Sequence, residues 1–303
     1  MIRGAYAHLS PLTKIILLLI LILSCGLISI STMALIAQPL FDVDASSLES
    51  MSENISFMKW SQIIQSICIF IIPSWICSYL FYSNPRVIMP GTGKTKWHLL
   101  LFPVLIIVFS QPFISWLGWF NQQLTLPESW DGLYHWISSK EEELQRLTKL
   151  FITHEHWTDF LLNAFMLAIL PAIGEEWLFR GVLQRQLNDW FKSAHVAILI
   201  TAIIFSAIHI QFLTFLPRFV LGLILGYMLL FTKNMWFPII AHFTNNFMAL
   251  MVFQYYQTTD PTVNPLETEM PQPDGMGIII SLGLIYALMY ILKQRVEVRS
   301  KNP

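Results

Sequence analysis

Residues 157–190 read WTDFLLNAFMLAILPAIGEEWLFRGVLQRQLNDW. The run is apolar enough to lie in lipid, yet it carries Glu175, Glu176 and Arg180 in its middle. Each such charge costs roughly 2.5–3.5 kcal/mol at mid-bilayer, so a chain that keeps all three is expected to use them. The run is also longer than the ~20 residues a spanning helix needs, so its C-terminal end is expected to protrude into water.

The rest of the chain has the same character. Of 303 residues 55% are hydrophobic and only 12% charged, with a mean hydropathy of +0.57, against about 25% charge in a soluble domain. The expected fold is therefore all-α, a polytopic membrane protein with about eight transmembrane helices. Their approximate limits are 13–37, 60–82, 98–118, 158–187, 195–213, 216–232, 236–256 and 276–293, the fifth being short. The first run, Ile15 to Ala37, exceeds the ~7–15 residues of a signal-peptide core and reads as an uncleaved span. Cys25, Cys68 and Cys77 sit in apolar stretches without metal-ligand spacing, as small buried side chains and not a disulfide set. The net charge of −1 and the lack of a basic run give no sign of a nucleic-acid partner.

With eight spans both termini fall on one side. That side holds 13 of the 18 basic residues, Arg3, Lys94, Lys192, Lys233 and Lys301 among them, and the other side 15 of the 19 acidic ones. Basic loops mark the cytoplasm. Both termini are expected there, in a cell (inner) membrane. The chain reads as one membrane domain, 1–303, without a soluble domain or internal repeat. Its longest connection, about 119 to 157, contains Leu144, Leu147, Leu150 and Phe151 at helical spacing among charges. This suggests an amphipathic helix on the outer surface, or a lid. Trp116, Trp119, Trp130, Trp136 and Trp157 flank it as interfacial anchors. The 257–275 loop, rich in Pro, Thr and acidic residues, is expected to be flexible.

Two motifs mislead. Pro90-Gly91-Thr92-Gly93-Lys94-Thr95 resembles the end of a P-loop, but Ile88 stands where the first glycine belongs and no strand precedes it. His154-Glu155-His156 lacks the second zincin histidine, since position 158 is Thr158. In the sixth span Gly222 and Gly226 have the spacing that lets two helix backbones approach. Pro171 and Gly174 loosen the helix before the acidic pair and free backbone groups that need polar neighbours.

Chemistry concentrates in three spans. Arg180 lies at i+4 from Glu176, so it is expected to neutralise that carboxylate. Glu175 points elsewhere and is left without a fixed cation, as suits a general base. The fifth span offers Phe205 and His209 on one face, the seventh His242 and Asn246. Together they supply a base, a partner to orient water and donors for a developing oxyanion.

These motifs, EExxxR (Glu175, Glu176, Arg180), FxxxH (Phe205, His209) and HxxxN (His242, Asn246), resemble those of a known family. It is that of the CAAX prenyl protease type II and bacteriocin-processing (CPBP, or Abi) intramembrane proteases. The resemblance covers about residues 155–256, a catalytic core within the membrane domain. It implies an intramembrane endopeptidase in which Glu175 and His209 activate water, His242 and Asn246 hold the oxyanion, Glu176 and Arg180 brace the helix, and Phe205 packs beside them. The family has been described both as zinc-dependent and as metal-free. Glu175, His209 and His242 would be the zinc ligands, but the metal-free reading is preferred. The substrate would be a peptide or membrane protein, prenylated or not, reached within the lipid bilayer. A water-filled cavity opening to the cytoplasm is expected. The alternative is a non-catalytic membrane scaffold or peptide-binding protein of the same fold.

Overall fold

The computed structural model describes residues 3–84, 96–124, 128–152, 157–259 and 274–301. The P-loop-like segment 90–95, His154 to His156 and most of the 257–275 loop lie outside the described residues. Among those described there is no strand. The principal helices are α1 (Pro11–Phe41), α2 (Ile55–Phe81), α3 (Trp97–Gln122), α4 (Asp131–Ile152), α5 (Trp157–Phe191), α6 (Ala194–Ala207), α7 (Phe212–Thr232), α8 (Trp236–Thr259) and α9 (Gly275–Lys301).

Helix starts follow capping chemistry. Ser10 accepts the Thr13 N–H and is followed by Pro11, which has no N–H to satisfy; Asn54 accepts the Phe57 N–H at 2.9 Å. The ends of α5 and α7 are marked by Lys192 and Lys233, both left-handed (φ 53° and 51°). Each places a cation at the negative end of a helix dipole.

Among the described residues seven helices are long and apolar enough to cross a membrane: α1, α2, α3, α5, α7, α8 and, over Gly275–Glu297, α9. The fifth expected span is a shorter apolar helix, as its brevity in the sequence suggested, and it ends before the expected limit at 213. α6 has 14 residues, so at 1.5 Å per residue it reaches ~21 Å, short of the ~30 Å apolar layer. The apolar run continues through Ile208, Ile210, Phe212 and Leu213, but the backbone turns at Ile210 (φ 54°). Side chains fix the turn: Ser206 Oγ donates to the Phe215 carbonyl (2.7 Å), Asn121 Nδ2 donates to the Phe212 carbonyl (2.7 Å), and Asn121 Oδ1 accepts the Leu216 N–H (2.8 Å). The amphipathic segment is the longer helix α4. Its Glu141 is buried and accepts the Leu213 N–H at 3.3 Å, so α4 is pinned to the 208–214 connection.

Two apolar cores flank the acidic pair. Leu18, Cys77, Phe81, Phe179, Val182, Leu187 and Ala197 join α1, α2, α5 and α6. Ile106, Ile107, Leu225, Met228, Phe237 and Leu292 join α3, α7, α8 and α9. The three cysteines are free, with Cys25 and Cys77 buried and Cys68 half-buried. Gly222 and Gly226 seat α7 against α6: a Cβ on Gly222 would stand 3.0 Å from the Ala202 Cβ, and one on Gly226 2.8 Å from the Ile198 Cγ2.

Candidate functional site

Helix α5 runs unbroken through Pro171 but widens to π-helical turns at Phe165–Ile169 and Trp177–Leu183, a local irregularity common at functional sites. Pro171 has no N–H to give to the Leu167 carbonyl four residues back. Asn246 of α8 supplies a donor instead, its Nδ2 lying 3.3 Å from that oxygen. The backbone group loosened by proline is thus met by a polar side chain from another helix.

The acidic pair divides as its helical spacing requires. Glu176 and Arg180 are fully buried, and Glu176 Oε1 accepts from Arg180 Nη1 at 2.8 Å. The same oxygen lies 2.9 Å from His242 Nδ1, which ties α5 to α8. Arg180 Nη2 donates to the Gly222 carbonyl on α7 at 3.1 Å, and its guanidinium lies 4.5 Å from the Phe205 ring centre. Glu175 is also buried; its Oε2, like that of Glu176, meets no protein hydrogen-bond donor, and among the described residues no cation comes within ion-pair distance of Glu175. A buried carboxylate oxygen left unsatisfied in this way calls for a functional explanation.

Phe205 is the hub that brings the two histidines together. Its ring lies 5.2 Å from that of His209 and 5.7 Å from that of His242, edge-on in both cases. His209 Nδ1 lies 2.7 Å from the Phe205 carbonyl, an acceptor, so that nitrogen carries the proton and Nε2 presents a lone pair. His242, by contrast, is buried deep beside Glu176. His209 and Asn246 are only partly covered. The sealed side of the site is therefore Glu176, Arg180 and His242, and its accessible side is His209 at the 208–214 connection.

All seven residues singled out from the sequence fall into this one neighbourhood. His242, from a different helix, reaches Glu176 directly. Asn246, however, already engages Leu167 and accepts from Asn245 Nδ2 at 3.2 Å. A cavity of about 550 Å³ lies beyond Arg180, lined by Gln184, Arg185, Asp189, Leu229 and Lys233 among others, but not by Glu175, His209 or His242. Among the described residues no three His, Cys, Asp or Glu side chains are grouped as metal ligands. No step below passes through a metal.

The sequence reading missed two residues beside the site. Arg218, on α7, exerts its charge on Glu175, His209 and Glu141. Glu141 on α4 has its carboxyl raised above the usual range by burial, against the opposing pull of the Leu213 N–H and the Arg218 charge. The signal for Arg218 was present, because it is an arginine inside an apolar run, as Arg180 is.

Residues 157–248 match the model of a family described as type II CAAX prenyl endopeptidase Rce1-like. All three motifs lie inside that stretch. The segment is similar to that family. The resemblance drawn from EExxxR, FxxxH and HxxxN is thus borne out over this part of the chain. The Rce1-like segment holds α5 to most of α8 and, with their connections, every singled-out residue. A curated relative, the uncharacterized protein YpbD of Bacillus subtilis (strain 168), is 35% identical over 85 residues, 27% of this chain. The match spans 40% of that relative's length. No solved structure matches the chain.

Proposed function

We propose that this protein is an intramembrane endopeptidase that hydrolyses a peptide bond with an activated water and no bound metal. The observation that carries this reading is Glu175, a buried carboxylate with an unpartnered oxygen, beside two imidazoles packed on one phenylalanine within an Rce1-like segment.

Water would be held between Glu175 and the Nε2 of His209. Its oxygen attacks the scissile carbonyl carbon while its proton passes to Glu175. The carbonyl electron pair becomes an oxyanion, for which His242 Nε2, when the ring carries both protons, and the second Nδ2 hydrogen of Asn246 are the candidate donors. Collapse breaks the C–N bond, and the proton on Glu175 moves to the departing amine. Glu176 fixes the His242 ring through Nδ1 and is itself fixed by Arg180, the outer-shell support that orients a working imidazole. The loop charges support cytoplasmic termini in an inner membrane. The substrate is a membrane-embedded peptide or protein, and prenylation is left unassigned.

The test compares peptide termini in cells carrying the wild-type protein, Glu175→Ala or His209→Ala, followed by cleavage of the identified substrate by purified protein. Each variant is expected to lose on the order of a hundredfold or more in turnover; wild-type rates in either would defeat the assignment. Chelation is expected to leave turnover intact. Loss that zinc restores would overturn the metal-free mechanism.

A further inference from the structure

Helices α5 and α7 run parallel in a fixed register. Arg180 Nη2 bonds the Gly222 carbonyl and Gln184 Nε2 the Gly226 carbonyl, each pair 42 residues apart. One turn earlier, the same offset sets Arg218 level with Glu176. The guanidinium is held by two uncharged acceptors, Nη1 by Thr214 Oγ1 and Nη2 by Gln211 Oε1. Both belong to the stretch just after His209. Among the described residues no carboxylate comes within ion-pair distance of Arg218. It lies close enough to Glu175, His209 and Glu141 of α4 for its charge to act on all three. Arg218 is only partly covered, on the same accessible side as His209.

The oxyanion donors inherited from the motifs are by comparison each partly engaged, leaving only His242 Nε2 and the second Nδ2 hydrogen of Asn246 for the site. His242 Nδ1 serves Glu176, and Asn246 Nδ2 serves Leu167. A guanidinium has five N–H groups and a charge that it cannot lose, and among the described residues two acceptors hold it.

Resting on the protease reading above, we propose that Arg218 is a catalytic residue: its guanidinium donates to the oxyanion formed when water attacks the scissile carbonyl. The Thr214 and Gln211 contacts aim it, and the α5–α7 register sets its depth. No bond to Arg218 forms or breaks. It offsets charge that exists only after attack, so its contribution falls on kcat.

The experiment uses the purified full chain in lipid nanodiscs and a substrate whose cleavage requires Glu175. Arg218→Ala is expected to lower kcat by about 10²- to 10³-fold, the effect of losing one oxyanion donor, with a much smaller change in KM. Arg218→Lys is expected to recover at least part of the loss. Added guanidinium is expected to raise the turnover of Arg218→Ala while leaving Glu175→Ala inactive. Arg218→Ala with near-wild-type kcat beside a dead Glu175→Ala would overturn this inference and leave the protease reading standing. So would a loss that neither lysine nor guanidinium relieves. An active Glu175→Ala would remove the protease reading and this role with it.

Discussion

His242 and Glu176, 66 residues apart in the chain, are joined by a 2.9 Å contact between Nδ1 and Oε1 inside the protein. Arg180 shares that oxygen. The three side chains form one buried unit in which removing any member strands the charge or donor of the others.

Arg180→Ala is expected to cost about 3–5 kcal/mol, the penalty for leaving one member of a buried ion pair alone. Arg180→Lys should not restore it, because a lysine cannot hold both Glu176 and the Gly222 carbonyl as a planar fork does. Yield of folded protein in detergent and its melting temperature measure this. Normal yield with lost turnover would place Arg180 in the chemistry instead.

Asn246 and Pro171 are expected to be coupled. Asn246→Ala should destabilise the protein by about 1–3 kcal/mol by uncovering the Leu167 carbonyl. In a Pro171→Ala background the backbone regains an N–H for that oxygen, so the cost should fall markedly. A double-mutant cycle on thermal stability reads the coupling. Equal costs in both backgrounds would mean that Asn246 does not serve the proline gap.

Gly222→Ala is expected to be worse than Gly226→Ala. The new methyl at 222 meets the Ala202 Cβ at 3.0 Å and its Cα at 3.1 Å, and backbone cannot step aside. At 226 the closest atoms, Ile198 Cγ2 at 2.8 Å and Gln184 Oε1 at 3.1 Å, belong to side chains, which can adjust where backbone cannot. Overpacking of the first kind costs typically 1–3 kcal/mol. Melting temperatures of the two variants, compared side by side, test the order.

Docking of α4 should depend on pH through Glu141. Its carboxyl is raised by burial in the docked state. Between the ordinary glutamate value and that raised value, the docked form holds more protons than the undocked one. Stability of docking is therefore fully present at acid pH and declines as pH rises through the raised value. Hydrogen exchange of the α4 amides followed against pH is expected to speed up over this window, and Glu141→Gln to flatten the trend. An unchanged profile in Glu141→Gln would assign the dependence to another group.

Local rules made much of this legible in advance. The Glu176–Arg180 pair follows from four-residue spacing alone, and the grouping of Phe205 with His209 from the same spacing in a neighbouring run. Arg218 escaped because its meaning comes from the register between α5 and α7, and one sequence carries no register between helices. The link from Glu176 to His242 is hidden for the same reason. The early end of α6 had no stop signal: no glycine or proline interrupts residues 195–213, and the turn is imposed by Asn121 and Ser206 acting across the fold. Ile210, a β-branched residue at φ 54°, shows that tertiary contacts override local preference there.

The brevity of α6 bears on the lipid around it. Val196, Leu199 and Ile203 form an exposed apolar stripe on this helix, so acyl chains meet a wall roughly 9 Å lower than the layer they normally fill. Lipids beside it must compress, or headgroups and their hydration must sink toward the 208–214 turn. In either case bulk solvent is drawn to the threshold of His209, and a hydrolase placed there would need no long channel to be supplied.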